Sequence, residues 1–293
     1  MTHGSPLQNR PGPLGPRGLL SLGLLLATAA AALALGLGPS GLIPRDVGWQ
    51  VAREFFSAAL HPALDYEAGW VPPGAPPFLY TVAAAGLRTL AFSLAAMSLA
   101  ILLGLPLGWV ASDAFWHPGG KGGPDKARGG AWRGPLQGGV RAWLAMLRSV
   151  HELLWAVVFL AALGLTPFTG VIALTIPYSG TLAKVWSELL DESEQDASRA
   201  LLALGAGPTT AFLVGRLPRA LPDMLSYAFY RFECSVRGSA VLGFFGFSTV
   251  GLYLQLAFED LHYREVWTYL YMLLAIVLVL EAWSAAMRKR FHA

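Results

Sequence analysis

Ionisable residues inside apolar stretches are the first candidates for chemistry in this chain. Glu233 and Arg237 stand four apart, so a helix places them on one face as an ion pair. Arg231 falls on a different face of the same helix. Arg148 and Glu152 repeat the four-residue spacing. Such groups fit either a polar seam at a dimer interface or pathway, or structural pairs near the membrane surface. Ser235, Ser239, Ser248 and Thr249 add hydroxyls that an oxyanion would need around the end of the same segment. Glu281 is expected near Arg288 at the far end of the chain. Catalytic patterns are missing. There is no HExxH and no GxSxG, and Trp155 stands where a second histidine would follow His151-Glu152. The Gly-Gly-Lys-Gly-Gly run at 119–123 lacks the phosphate-loop spacing. Cys234 is the single cysteine, which excludes an intrachain disulfide and a Cys-rich zinc or iron–sulfur site. No cofactor or metal is implied, and His151 reads as a structural histidine.

A different kind of pattern lies between the apolar stretches. Gly205 is followed by nine residues and then Gly215-Arg216-Leu217-Pro218. Ala200, Leu201, Ala203 and Leu204 favour helix. Gly205 can take the left-handed conformation that ends one, and Pro208 suits the first turn of the next. Pro218 and Pro222 then restrict the chain. The expected shape is an elbow with an apolar tip that fits a groove on a partner. A plain helical hairpin is the competing reading.

The elements that position these residues follow from composition. Of 293 residues, 55% are apolar and only 13% charged, about half the charge of a soluble domain. The chain reads as one integral membrane domain with no nucleic-acid face. Spans are expected near 19–37, 81–112, 142–165, 170–189, 224–245 (continuing to 258) and 266–286, each close to the roughly 20 apolar residues a crossing requires. The first reads as a retained anchor rather than a signal peptide, after a cytoplasmic tail at 1–18. Residues 19–293 form the transmembrane domain, with a flexible cytoplasmic loop at 113–140 and a polar segment at 190–222. Pro39 to Tyr80 is Pro-rich, with an amphipathic helix over 49–60 or a loop packed on the bundle. Gly104 and Gly108 offer close helix packing. Of the 21 Lys and Arg, only Arg45, Arg53 and Arg264 fall outside when both termini are cytoplasmic. Arg88, Arg231 and Arg237 lie within or at the edge of spans, and the rest fall inside, as the positive-inside rule requires.

Three stretches carry a family resemblance. Arg148-Ser-Val-His-Glu-Leu-Leu-Trp155 through Gly164-Leu-Thr-Pro-Phe168, the segment Gly205 to Pro218, and Leu221-Pro222 through Phe229-Tyr-Arg-Phe-Glu233 to Val241-Leu-Gly243 resemble permeases of phosphonate/phosphite-type ABC importers. The likeness runs from about Leu87 to the C-terminus, without the Gly-rich loop. It implies an all-α, six-span type I ABC importer permease bundle in the bacterial inner membrane. It also implies two ATPase subunits, a periplasmic binding protein, and a homodimer or sister permease in contact with membrane lipid. The resemblance assigns ATPase coupling to Ala200, Leu201, Leu204, Gly205, Ala206, Leu217 and Pro218. It leaves Arg231, Glu233, Arg237, Ser235, Ser239 and Ser248 for the pathway or dimer interface. The subunit itself would be non-catalytic. A stand-alone secondary transporter, or an ABC permease for a non-phosphorus substrate, are the alternatives. Three positions depart from the family pattern: Arg199 replaces a glutamate, His151 a proline, and bulky Phe247 sits in a normally Gly-rich turn.

Overall fold

The computed structural model describes residues 16–37, 46–120 and 130–291. Lys121, Lys126 and Arg128 of the Gly-rich loop, and most of the tail at 1–18, lie outside the described residues. Residues up to Ser57 form one unit and residues 58–293 another. The first holds α1 (Pro16–Ala34) and, but for its last residue, α2 (Asp46–Ala58), so the amphipathic reading of 49–60 is met by a helix.

The second unit is a helical bundle. Its described helices are α3 (Phe78–Ala111), α4 (Asp113–Trp116), α5 (Arg133–Ser149), α6 (Glu152–Leu163) and α7 (Pro167–Glu192). They continue with α8 (Asp196–Ala203), α9 (Pro208–Thr210), α10 (Leu217–Val241), α11 (Val250–Glu259) and α12 (Tyr263–Phe291). A π-helical turn at Ala211–Arg216 joins α9 to α10, so the helix is continuous from Pro208 to Val241. Helices α3 and α12 are long and apolar enough to cross a membrane alone. The α5–α6 pair, bent by 90°, and the segment 208–245 with α11, bent by 49°, pass the same test as broken spans.

Two corrections to the sequence reading concern helix continuity. The third span is not one rod over 142–165. It breaks at Val150-His151, where His151 turns extended and its Nδ1 accepts the Leu153 N–H at 3.3 Å. A span-length hydropathy average runs across the polar Arg148-Ser-Val-His-Glu152 interruption and does not report backbone direction. The break also defeats the expected Arg148–Glu152 pair, since i,i+4 proximity needs an unbroken helix. Glu152 instead lies 3.6 Å from His151 Nε2. The stretch at 113–140 carries helix at both described ends, α4 and the start of α5. The fifth segment likewise begins far earlier than 224, because Pro208, Pro218 and Pro222 occupy first-turn or tolerated positions in a continuous helix.

The core forms where α3, α7 and α10 meet. Gly104 and Gly108 permit the approach. A Cβ on Gly108 would stand 3.0 Å from the Ala183 carbonyl, and one on Gly104 3.2 Å from the Ser179 carbonyl. Leu174, Leu182, Trp186, Phe212 and Met224 fill the space between, and Trp186 Nε1 donates to the Met224 carbonyl at 2.9 Å. The Thr166-Pro167 turn starts α7 as expected, with Thr166 Oγ1 accepting from Thr169 N. At the end of the bundle where α3 and α12 begin, Ala63 and Glu67 of the Pro-rich segment hydrogen-bond to the start of α12. Residues 63–67 of that segment thus pack on the bundle.

Candidate functional site

The elbow is built as its residue types require. Helix α8 ends in a Schellman motif. Gly205 takes φ +86°, its N–H bonds the Leu202 carbonyl at 3.0 Å, and the Ala206 N–H bonds the Leu201 carbonyl at 2.9 Å. Pro208 follows at the first position of α9, behind an extended Gly207. The tip is apolar and open: Leu204 is 85% exposed and nothing stands within 4 Å of a Cβ on Gly205. Ala200 is also exposed, Leu201 and Ala206 are half-buried, and Leu217 and Pro218 sit farther back where α10 begins.

The return limb is locked behind this tip. Gly215 packs directly on α8, where a Cβ would stand 2.7 Å from Ser198 Oγ and 2.9 Å from its backbone. Ser198 Oγ in turn donates to the Ala211 carbonyl at 3.0 Å. Arg216 is only 2% exposed. Its Nε donates to the Leu190 carbonyl and Ser193 Oγ, both at 3.1 Å. Its Nη2 donates to the Asp191 carbonyl at 2.9 Å and its Nη1 to the Pro118 carbonyl at 3.3 Å. One guanidinium thus covers the carbonyl end of α7, where positive charge is favoured, and ties it to the turn after α4. An arginine keeps its charge in such a setting. Arg199, the departure from the family glutamate, donates to the Gly119 carbonyl at 3.1 Å and to Gln195 at 2.8 Å. Arg219 pairs with Glu194.

A second charged cluster holds the ends of α3 and α7 together. Asp113 accepts from Arg133 at 3.1 Å and Gln137 at 3.0 Å. The Ala111 carbonyl accepts from Gln137 and Arg141 at 3.1 and 2.8 Å. Asp191 Oδ1 accepts the Ala114 N–H at 2.8 Å, and its Oδ2 lies 3.8 Å from Arg141. Burial raises the Asp191 pKa above 3.8, with Asp113 adding to the rise and the Ala114 N–H opposing it.

Farther along α10 the expected Glu233–Arg237 pair forms at 3.4 Å, with Arg237 half exposed. Arg231 lies apart from it, its guanidinium carbon 5.1 Å from the centre of the Tyr178 ring and its Nη2 3.4 Å from Thr181 Oγ1. The candidate hydroxyls divide. Ser235 is fully buried and bonded to Ser93, and Ser239 is buried and donates to the Thr89 carbonyl at 2.9 Å. Both hold α10 against α3. Ser248 is half-buried, and Thr249 donates to the Ala240 carbonyl at 3.1 Å. Phe247 is buried edge-on against Phe92, with ring centres 5.8 Å apart. Arg288 donates to Ser284 Oγ at 2.5 Å, where Glu281 was expected as its neighbour.

Residues 130–292 match the family model for the binding-protein-dependent transport system inner membrane component. The chain belongs to this family. As such an inner membrane component, its apolar helices are membrane spans, and it serves a transport system that works with a binding protein. The permease is 32% identical over 203 residues to the phosphite transport system permease protein PtxC of Stutzerimonas stutzeri, covering 69% of this chain and 68% of that one. It is 30% identical over 213 residues to the phosphate-import permease protein PhnE of Mycolicibacterium smegmatis. That match covers 72% of this chain but only 36% of the relative's length. Among solved structures, the inward-facing MetNI methionine ABC transporter superposes with a TM-score of 0.62 at 19% identity, over 74% of this chain and 99% of that one. The permease therefore has the all-α fold of ABC importer permeases, as the sequence implied.

Sequence reasoning missed Arg216, Ser198, Asp191 and Tyr178. A charged residue directly before Leu217-Pro218 was the available signal for Arg216. Its acceptors come from three separate stretches, which no local pattern reveals.

Proposed function

We propose that this permease is the non-catalytic membrane subunit of an ATP-driven importer for a phosphonate, phosphite or related small oxyanion delivered by a periplasmic binding protein. The elbow carries this reading. An open apolar tip on a rigidly anchored helical corner suits docking into a groove of a separate ATPase subunit. Ala200, Leu201, Leu204, Gly205 and Ala206 form the tip, and Leu217 and Pro218 begin the helix that leads away from it. ATP-bound and ATP-free partners would hold the tip differently, and that difference in contact free energy is what can shift the pathway between its two openings. The phosphite and phosphate permeases to which the chain is similar support the oxyanion class. A second permease, identical or sister, completes the pathway. Half-exposed Arg237 and exposed Tyr230 on α10 are poorly suited to hydrocarbon. They suit a face turned toward that partner or toward water.

The test is co-purification with the ATPase and binding protein encoded beside this chain, comparing wild type with Gly205→Glu. Loss of the ATPase in the variant, with the permease still folded, is the expected result. A folded wild type that retains no ATPase would sink the importer reading and favour a stand-alone transporter.

A further inference from the structure

Two arginines meet one turn of α7 with no carboxylate in direct contact with either. Arg231 reaches Thr181 by a single long hydrogen bond of 3.4 Å and lies over the Tyr178 ring. Its Nε is buried and has no acceptor. Arg148 approaches the same turn from α5. A Cβ on Gly180 would stand 3.5 Å from Arg148 Cγ, so the arginine's stem lies against α7 next to Thr181. Of the neighbouring carboxylates, Glu233 pairs with Arg237, and Glu152 lies 3.6 Å from His151 with its Oε1 turned toward the Tyr178 hydroxyl; that oxygen and the hydroxyl are both within 4 Å of where a Cβ on Gly238 would stand. Among the described residues no Asp or Glu comes within 4.0 Å of either Arg231 or Arg148.

An uncompensated cation at membrane depth is costly, and such groups mark ion pathways. The cost falls when an anion arrives, since attraction between charges is strong in a low dielectric. A guanidinium with its Nε edge unclaimed presents a planar fork suited to two oxygens of a tetrahedral anion. The aromatic face behind it keeps the cation in place between visits. The exposed polar residues Tyr230 and Arg237 place this part of α10 beside water or a partner rather than lipid.

We propose that Arg231, with Arg148, Thr181 and Tyr178, forms a transit site for a small tetrahedral phosphorus oxyanion. The proposal rests on the importer reading above and adds where the anion is held. The site is built for passage rather than storage: conduction needs binding strong enough to admit the ion and weak enough to release it.

The experiment reconstitutes the permease with its ATPase and binding protein in proteoliposomes and measures uptake of radiolabelled phosphite and methylphosphonate per ATP hydrolysed. Wild type, Arg231→Gln and Arg231→Lys are compared, with complex assembly checked by gel filtration. The expected result is at least a tenfold fall in anions moved per ATP for Arg231→Gln, with part of the loss restored by Arg231→Lys. Wild-type uptake of either anion, with Arg231→Gln within twofold of it, overturns the site and leaves the importer reading intact. No uptake of either anion by the wild-type complex overturns both. Failure of both variants to assemble assigns Arg231 to structure and also overturns the site.

Discussion

One continuous helix carries two arginines in opposite circumstances. Arg216 is almost wholly buried, and every donor edge meets an oxygen. Arg231 keeps one long bond and a buried Nε with no acceptor. The first arrangement is that of a fastener, because desolvation of the charge is offset by charge-assisted bonds in fixed directions. The second leaves recognition capacity unspent. Burial alone therefore does not mark a functional arginine; the separating property is whether its donors are already satisfied within the chain.

Two pairs of substitutions and one single change sharpen or break this contrast. The largest effect is expected from Arg216→Gln, which strands several carbonyls at the end of α7 and should cost about 3 kcal/mol of stability. Arg231→Gln should change stability by less than about 0.5 kcal/mol, because it removes a poorly compensated charge. Thermal unfolding of the purified permease, followed by tryptophan fluorescence, measures both. Equal losses would erase the distinction between the two arginines.

Next come the glycines at the two sides of the elbow. Gly215→Ala drives a methyl into Ser198 and should cost about 2 kcal/mol. Gly205→Ala meets open space and bears only the left-handed backbone penalty of about 1 kcal/mol. The same unfolding assay ranks them, and a reversed order would mean that α8 does not pack on the return limb as described.

The smallest effect concerns Asp191. Its folded pKa is raised by burial, so the unfolded chain ionises first as pH climbs past 3.8. Stability from this group is present below that pH and lost as pH rises through the folded value. Asp191→Asn keeps an oxygen for the Ala114 N–H and removes that slope. Its stability relative to wild type should therefore increase with pH from about 3.8 before levelling. A flat difference across the titration would show that Arg141, 3.8 Å away, already balances the carboxylate.

The elbow was legible in the sequence because its determinants are local: a glycine that must turn left-handed and a proline that must follow it. The family and fold were legible for the same reason, through compact motifs. The break at Val150-His151 was not: polar Arg148, Ser149, His151 and Glu152 interrupt the apolar run there, but only the His151 capping reveals the turn. Ser235 and Ser239 read as hydroxyls available to an anion, yet their partners Ser93 and Thr89 lie far back in the chain on α3. Interhelical pairing of this kind is invisible to spacing along one segment.

The unbroken run from Pro208 to Val241 has a mechanical consequence. Between Arg216 and Arg231 the helix rises about 22 Å at 1.5 Å per residue. With Arg216 fixing the rod to the end of α7, the elbow forms the short arm of a lever and the membrane segment the long one. A tilt of about 10° around that fulcrum would swing Arg231 by roughly 4 Å, more than the length of a hydrogen bond. A small nudge at the elbow's tip is thus geometrically sufficient to move the Arg231 side chain by more than a hydrogen-bond length.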